Sequence, residues 1–248
     1  MAQTPHNPLE GDIPEMSIDL HDGTDEQISI IIVHKDRPEY LNILLQSISV
    51  CSFNNNYEII VVDNASDEES QGFLKDIEGE VKVVRNDKNL YWSAAANKGV
   101  EAASKSSRYF VFMHCDCVVL NPGWLDLLVS VSQSQGAALV GTDQSSYVLQ
   151  KQKIDFIQEW CVLISRECFD DCGPWPETLP LVGHSFIFSF KAQRAGYKPQ
   201  VMKNPIVHHY RIFSLEDVNI WEKMLESASK NIPELLRDMQ TEQLKSNI

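Results

Sequence analysis

Short runs of β-branched residues, each followed by a stretch of helical periodicity, constrain this chain more than any other feature of its sequence. Residues 28–33, ISIIIV, are apolar on both faces except for one serine, as in a strand covered from both sides. Asp36-Arg37-Pro38 then reads as a helix start, with Asp36 as N-cap and Pro38 in the first turn. Leu41, Leu44, Leu45 and Ile48 follow at helical spacing. Residues 57–62, YEIIVV, predict a second strand, after which Ser66 and Glu69 have the spacing of a capping box. Residues 81–84 predict a third strand, 93–104 an Ala-rich helix, and 109–113 a fourth strand, YFVFM. Asn121 and Pro122 are an N-cap and N1 pair that would open a helix through Trp124, Leu125 and Leu128.

The second half is less regular. Residues 137–140 and 160–164 predict strands, and 186–195 a helix stopped by Gly196. Residues 206–208 predict a short strand, and Ser214 caps a last helix containing Val218, Trp221 and Leu225. Strands alternating with helices at these lengths dictate βαβ units. The expected fold is therefore α/β, a mostly parallel, doubly wound sheet with helices on both faces. One domain is expected over 27–214. A leader at 1–26, rich in Pro, Asp and Glu, precedes it, and a helical extension at 215–248 follows.

Composition removes several functions. The net charge is −14 with no cluster of Lys or Arg, which disfavours nucleic acid as a partner. No apolar stretch approaches the roughly 20 residues of a membrane span, although peripheral membrane contact stays open. The N-terminal residues have neither a basic start nor an apolar core, so they are not read as a signal peptide. The six cysteines form no CxxC pair, and we expect reduced, mostly buried thiols in a cytoplasmic protein.

In an open α/β sheet, ligands bind beyond the carboxyl ends of the strands. Three such ends are polar here, at His34-Lys35-Asp36, Asp63-Asn64 and His114-Cys115-Asp116. The first βα turn contains no glycine, which argues against a nicotinamide or flavin enzyme, because a dinucleotide's pyrophosphate needs glycines there.

A series of segments then resembles glycosyltransferase family 2. SIIIV at 29–33 with RPEYL at 37–41 is similar to its opening strand and helix, and IIVVDNASD at 59–67 to its nucleotide-binding turn. NLYWSAAANKG at 89–99 is similar to its Asn-Leu-Gly…Asn-x-Gly segment, and FMHCD at 112–116 with LNPGWL at 120–125 to its Asp-x-Asp region. REC-Phe169, RAG-Tyr197 and His208-His209 complete the series in family order.

The resemblance implies a GT-A fold, a nucleoside-diphosphate sugar donor and a Mn²⁺ or Mg²⁺ ion. It splits the domain into a nucleotide-binding half, 27–120, and an acceptor half, 121–214. It further implies that Asp63 and Asn64, with Asn89, Asn97 and Cys115, contact the nucleotide sugar, and that Lys35 or Arg37 meets the diphosphate. Asp116 would hold the cation, aided by His208 or His209, of which His208 is preferred. Trp160, Glu159 and Ser185 are expected to face the acceptor, which is a glycan, a lipid-linked glycan or a protein, in a pathway of glycan biosynthesis. Plainer roles stand beside these: Asp63 as an Asx-turn residue, Asp116 as a turn cap, and a His pair divided between core and solvent.

The chain departs from the family pattern twice. His114 occupies the first Asp position of the metal motif, which removes a charge and points to weaker cation binding, to a softer ion, or to reliance on the substrate's phosphates. Where inverting members carry an acidic segment at a helix start, residues 183–187 read GHSFI, without a carboxylate. His184 is the nearest candidate general base, with Glu177, Asp155 and Glu159 as alternatives on neighbouring loops. Loss of chemistry on a retained fold, and a nucleotidyltransferase, are the rival expectations.

Overall fold

The computed structural model describes residues 27–52, 56–149, 152–202, 206–212 and 215–246. The leader at 1–26 and Ser214 lie outside these residues. The first half alternates β1 (Ile28–His34), α1 (Pro38–Cys51), β2 (Tyr57–Asp63), α2 (Glu68–Ile77), β3 (Lys82–Arg85), α3 (Tyr91–Ala102) and β4 (Tyr109–His114). There follow β5 (Cys117–Val119), α4 (Trp124–Gln135), β6 (Ala137–Gly141), β7 (Gln144–Leu149), β8 (Gln152–Ile157) and β9 (Cys161–Ser165). The chain continues through α5 (Arg166–Cys172), α6 (His184–Arg194), β10 (Lys198–Val201), β11 (Val207–His209) and α7 (Leu215–Ser246).

Seven strands form the central sheet in the order β10-β6-β9-β4-β1-β2-β3. All neighbours pair in parallel except those of β9, which runs antiparallel to both β4 and β6. Helices cover both faces, as expected. Ile28, Ile30 and Ile32 of β1 point to one side, where they pack with Leu41, Leu44 and Ile48 of α1, Leu74 of α2 and Leu125 and Leu128 of α4. Ile31 points to the other side, with Ala95 and Ala96 of α3, Cys168 and Phe169 of α5 and Phe188 of α6. The period-2 alternation of a strand thus feeds two separate cores. At roughly 25 cal/mol per Å² of apolar surface removed from water, their burial is the dominant force holding the sheet between its helices.

Helix starts differ from the sequence reading. Asp36 is not the N-cap of α1: Arg37 holds that position in a left-handed conformation, and Asp36 Oδ1 instead accepts from the Asp67 amide at 2.8 Å. Pro38 does occupy the first turn. The cap of α2 is Asp67, bonded to the Ser70 amide, rather than Ser66, whose hydroxyl accepts from the Asp36 amide. Gly123, not Asn121, precedes α4.

Five elements were not foreseen. Strands β7 and β8 form a hairpin between predicted strands, α5 follows the predicted strand at 160–164, β10 follows Gly196, and β5 pairs antiparallel with β11 as a two-stranded ribbon. The extension is one helix, α7, whose Ala228, Ile232 and Leu236 pack on Leu179, Phe186 and Ile187. No described helix is long and apolar enough to cross a membrane. All six cysteines are free, and five of them are buried.

Candidate functional site

The parallel strands end on a common edge, and a cleft of about 790 Å³ opens there, a size suited to a nucleotide-sized ligand. Its floor comes from the turns after β1 (Lys35, Asp36, Arg37), β2 (Asn64) and β4 (His114, Cys115, Asp116). Glu159 and Trp160, which lead into β9, complete it, with Arg211 and Ile212 after β11 and Trp221 of α7 at the walls.

Among the described residues, five non-glycine residues adopt positive φ: Asp36, Arg37, Ala65, Tyr91 and Arg211. Four of them line the cleft. Such backbone is costly for L-residues, about 1–3 kcal/mol each, and survives where surrounding structure imposes it. Here hydrogen bonds do so: Asn64 Nδ2 donates to Asn89 Oδ1 (2.8 Å) and to the Tyr91 carbonyl (3.0 Å), while its Oδ1 accepts from the Leu90 amide (2.8 Å). Asn64 and Asn89 thereby shape one wall. On the other side, Arg37 donates to the Ile212 carbonyl at 2.9 Å, tying the β1 turn to the segment after β11. Lys35 is half-exposed and pairs with Asp36 at 2.9 Å.

Asp116 lies at the centre. Its Oδ1 is 3.1 Å from His209 Nε2, and its Oδ2 accepts from the Ile212 amide at 3.0 Å. His209 Nε2 is also 3.3 Å from His114 Nδ1. One ligand atom from each of His114, Asp116 and His209 therefore converges, all within 4.8 Å of one another. Burial opposes ionisation of Asp116, but the His209 and Ile212 hydrogen bonds outweigh it and hold the carboxyl down to about 2. Burial lowers His114 as well, from 6.5 to about 4, against the attraction of Glu159.

Glu159 forms the second focus. Its Oε2 accepts from the Ser185 hydroxyl, and its Oε1 lies 3.6 Å from His184 Nε2 and 3.7 Å from His114 Nε2. Burial would raise its pKa, yet the flanking His184 and His114 rings and the Ser185 hydroxyl hold it below the usual carboxylate range. An ionised carboxylate therefore faces the cleft. Asp116, His209 and His114 form a continuous polar chain, and its far end, His114 Nε2, lies 3.7 Å from Glu159 Oε1.

Several expected residues take other places. His184 is 1% exposed and does not line the cleft; its ring stacks on Trp92 (4.6 Å, 16°) behind Glu159. That burial removes it from reach of an acceptor and makes it a support for the carboxylate. His208 points outward, where its ring meets Tyr210, because β11 alternates and the inward position falls to His209 opposite Cys117. Asp63 is buried, with its Oδ1 accepting from the Ser66 amide in an Asx-type turn; it does not line the cleft. Asn97 is likewise internal, clamping the Trp175 backbone through both its amide oxygen and its amide nitrogen. Ser185 reaches the site only through Glu159. Trp160 lines the cleft with its ring stacked on His209. Cys115 also lines it, its thiol pushed up to about 12 by burial and the neighbouring Asp116. Asp155 pairs with Ser146 and Lys153 on the hairpin surface, and Glu177 accepts from Asn97, so neither joins Glu159. Arg211 escaped the sequence reading; a cation just beyond a His pair was the available signal.

A cleft on the carboxyl edge of a mostly parallel sheet, with helices on both faces and one reversed strand, is the architecture of GT-A proteins. Solved structures agree at the level of the fold. The mannosyltransferase PcManGT from Pyrobaculum calidifontis, in complex with GDP-Man and Mn²⁺, superposes with a TM-score of 0.58 at 14% identity, covering 71% of this chain and 54% of that one. GalNAc-T7 with UDP, GalNAc and Mn²⁺ gives 0.62 at 18% identity, over 77% and 45% of the two chains. The chain belongs to glycosyl transferase family 2, whose sequence model matches residues 29–173.

Two curated relatives are more distant in length. The O-antigen biosynthesis protein RfbC of Myxococcus xanthus is 28% identical over 219 residues, which is 74% of this chain and 17% of that protein. The uncharacterized protein y4gI of Sinorhizobium fredii is 26% identical over 209 residues, 68% and 23% respectively. The matched segment thus spans about a fifth of each.

Proposed function

We propose that the chain transfers a sugar from a nucleoside diphosphate to an acceptor hydroxyl with inversion, and that Glu159 is the general base. The observation that carries this reading is the Glu159 carboxylate lining the cleft, with the Ser185 hydroxyl bonded to it and the His184 and His114 rings beside it. Family membership supplies the reaction class. A glycan is the acceptor class we favour, in keeping with the O-antigen biosynthesis protein among its relatives.

The reacting groups have simple roles. Glu159 takes the proton of the acceptor hydroxyl as its oxygen attacks the anomeric carbon, and the bond from that carbon to the diphosphate breaks on the opposite side. Among the described residues, Lys35, Arg37 and Arg211 are the Lys and Arg side chains lining the cleft, and they would meet the departing diphosphate. The Asn64–Asn89 wall would position the nucleoside. His114, Asp116 and His209 fit a divalent cation: two imidazole nitrogens and a carboxylate oxygen converge, and four acids among the lining residues leave the three cations alone unable to neutralise a diphosphate. When bound, that ion would stabilise the negative charge of the leaving group.

Glu159→Gln keeps the shape and removes the base. The expected result is a fall in kcat of about 10²–10⁴-fold, larger than any change in nucleoside diphosphate affinity by calorimetry. A panel of uridine and guanosine diphosphate sugars with oligosaccharide acceptors supplies the assay. Full activity in the variant would remove Glu159 from this role.

A further inference from the structure

We infer that the cation site selects a divalent first-row transition ion over Mg²⁺ or Ca²⁺, because His114 is a third protein ligand beside Asp116 and His209. The inference rests on the cation site described above and names the chemistry of its occupant. An ion bound at roughly 2.0–2.2 Å from each ligand atom sets neighbouring ligands about 2.9–3.6 Å apart, whether the arrangement is octahedral or tetrahedral. The spacings from His209 Nε2 to Asp116 Oδ1 (3.1 Å) and to His114 Nδ1 (3.3 Å) lie in that interval.

Protonation fits as well. His209 Nε2 faces two atoms at once, and a single N–H is an incomplete bridge between them. With an ion taking the lone pair of His114 Nδ1, the proton of that ring resides on Nε2. This nitrogen is buried, has no hydrogen-bond partner among the described residues, and points at Glu159 Oε1 from 3.7 Å. A ligating imidazole with a carboxylate behind it is the usual support of a protein metal site. His209 is held differently, by the Trp160 ring stacked on it at 5.1 Å.

The donor set decides the preference. Mg²⁺ and Ca²⁺ take oxygen ligands, and Mg²⁺ surrenders its water reluctantly. Imidazole favours Co²⁺, Ni²⁺ and Zn²⁺, with Mn²⁺ the weakest of the series. Two nitrogens against one protein oxygen therefore disfavour the alkaline-earth ions.

Calorimetry with the metal salts alone, on the full chain freed of metal, tests this without any turnover. Co²⁺ and Zn²⁺ are expected to bind at least about tenfold more tightly than Mg²⁺ or Ca²⁺. Co²⁺ should also develop visible absorption bands that respond to His114→Asp. That variant should lose most of the preference, His209→Ala should lose Co²⁺ binding, and His208→Ala should leave it unchanged. Equal affinity for Mg²⁺ and Co²⁺ in the wild-type chain overturns the inference, as does a His114→Asp variant with the preference intact. Sugar transfer that runs equally well on Mg²⁺ would sink the selectivity and leave the proposed reaction standing. Selective Co²⁺ binding by a chain that never turns over would do the reverse.

Discussion

His34, the last residue of β1, has no exposed surface, and neither ring nitrogen has a hydrogen-bond partner among the described residues. Burial lowers its pKa from 6.5 to about 4, against the pull of Asp63, Asp36, Asp67 and Glu39. Between those two values the unfolded chain binds a proton that the folded one refuses. Stability therefore rises with pH across this window and is lost as pH falls from about 6.5 towards 4. A displacement of this size corresponds to about 3 kcal/mol when complete. His34→Leu deletes two unpartnered buried nitrogens along with the titration. Urea unfolding at several pH values should show a flatter acid limb in the variant, with His114 providing what slope remains; an unchanged limb would mean that His34 is not the group responsible. The same scale explains which side chains could be read in advance. Asp116 announced itself by lying at a strand end inside a family motif. The choice between His208 and His209 depends on the parity of a three-residue strand, which the letters do not carry.

Among the elements, α3 is pressed onto the sheet through Gly99. A methyl group at that position would fall 2.4 Å from Ile31 Cγ2 and 3.2 Å from Val62 Cγ2, both on stiff β-branched side chains. Alanine improves helix propensity by about 1 kcal/mol, but overpacking costs about 1–3 kcal/mol and wins here. Gly99→Ala should lower the urea midpoint at constant m-value; a raised midpoint would show that α3 is free to ride higher on the sheet. The strands were legible because burial on both faces leaves a continuous apolar run, as in residues 28–33 and 109–113. The β7–β8 hairpin was not, since QSSYVL and QKIDFI mix polar and apolar positions and read as loop. Seven-residue α5 was too short to show a period. Helix starts slipped by one or two residues because a cap is chosen by where the chain enters: Asp67 rather than Ser66, and a left-handed Gly123 rather than Asn121.

For the molecule as a whole, α7 is the part that fastens the site from outside. Ile232 and Leu236 pack on Phe186 and Ile187 of α6, the helix whose first turn holds His184 and Ser185 behind Glu159. A methyl group at Gly183, just before that turn, would meet Ile232 Cδ1 at 2.8 Å. Ile232→Ala should cost about 2–5 kcal/mol in unfolding free energy, as a fully buried branched side chain does. It should also release α7 to limited proteolysis before the sheet unfolds; a variant as resistant as the parent would show α7 to be held elsewhere. The reversal of β9 has a reach beyond stability. In a parallel strand the exit meets the ligand; in β9 the entrance does, so Glu159 arrives from a turn far along the chain from the helix start that other members use. On the proposed reaction, the proton acceptor comes from another street yet stands at the same corner, against Ser185 and His184 of that helix start. Sorting homologues by the letters at 183–187 would file this chain among the inert, whereas sorting them by what fills that corner keeps it with the candidates for turnover.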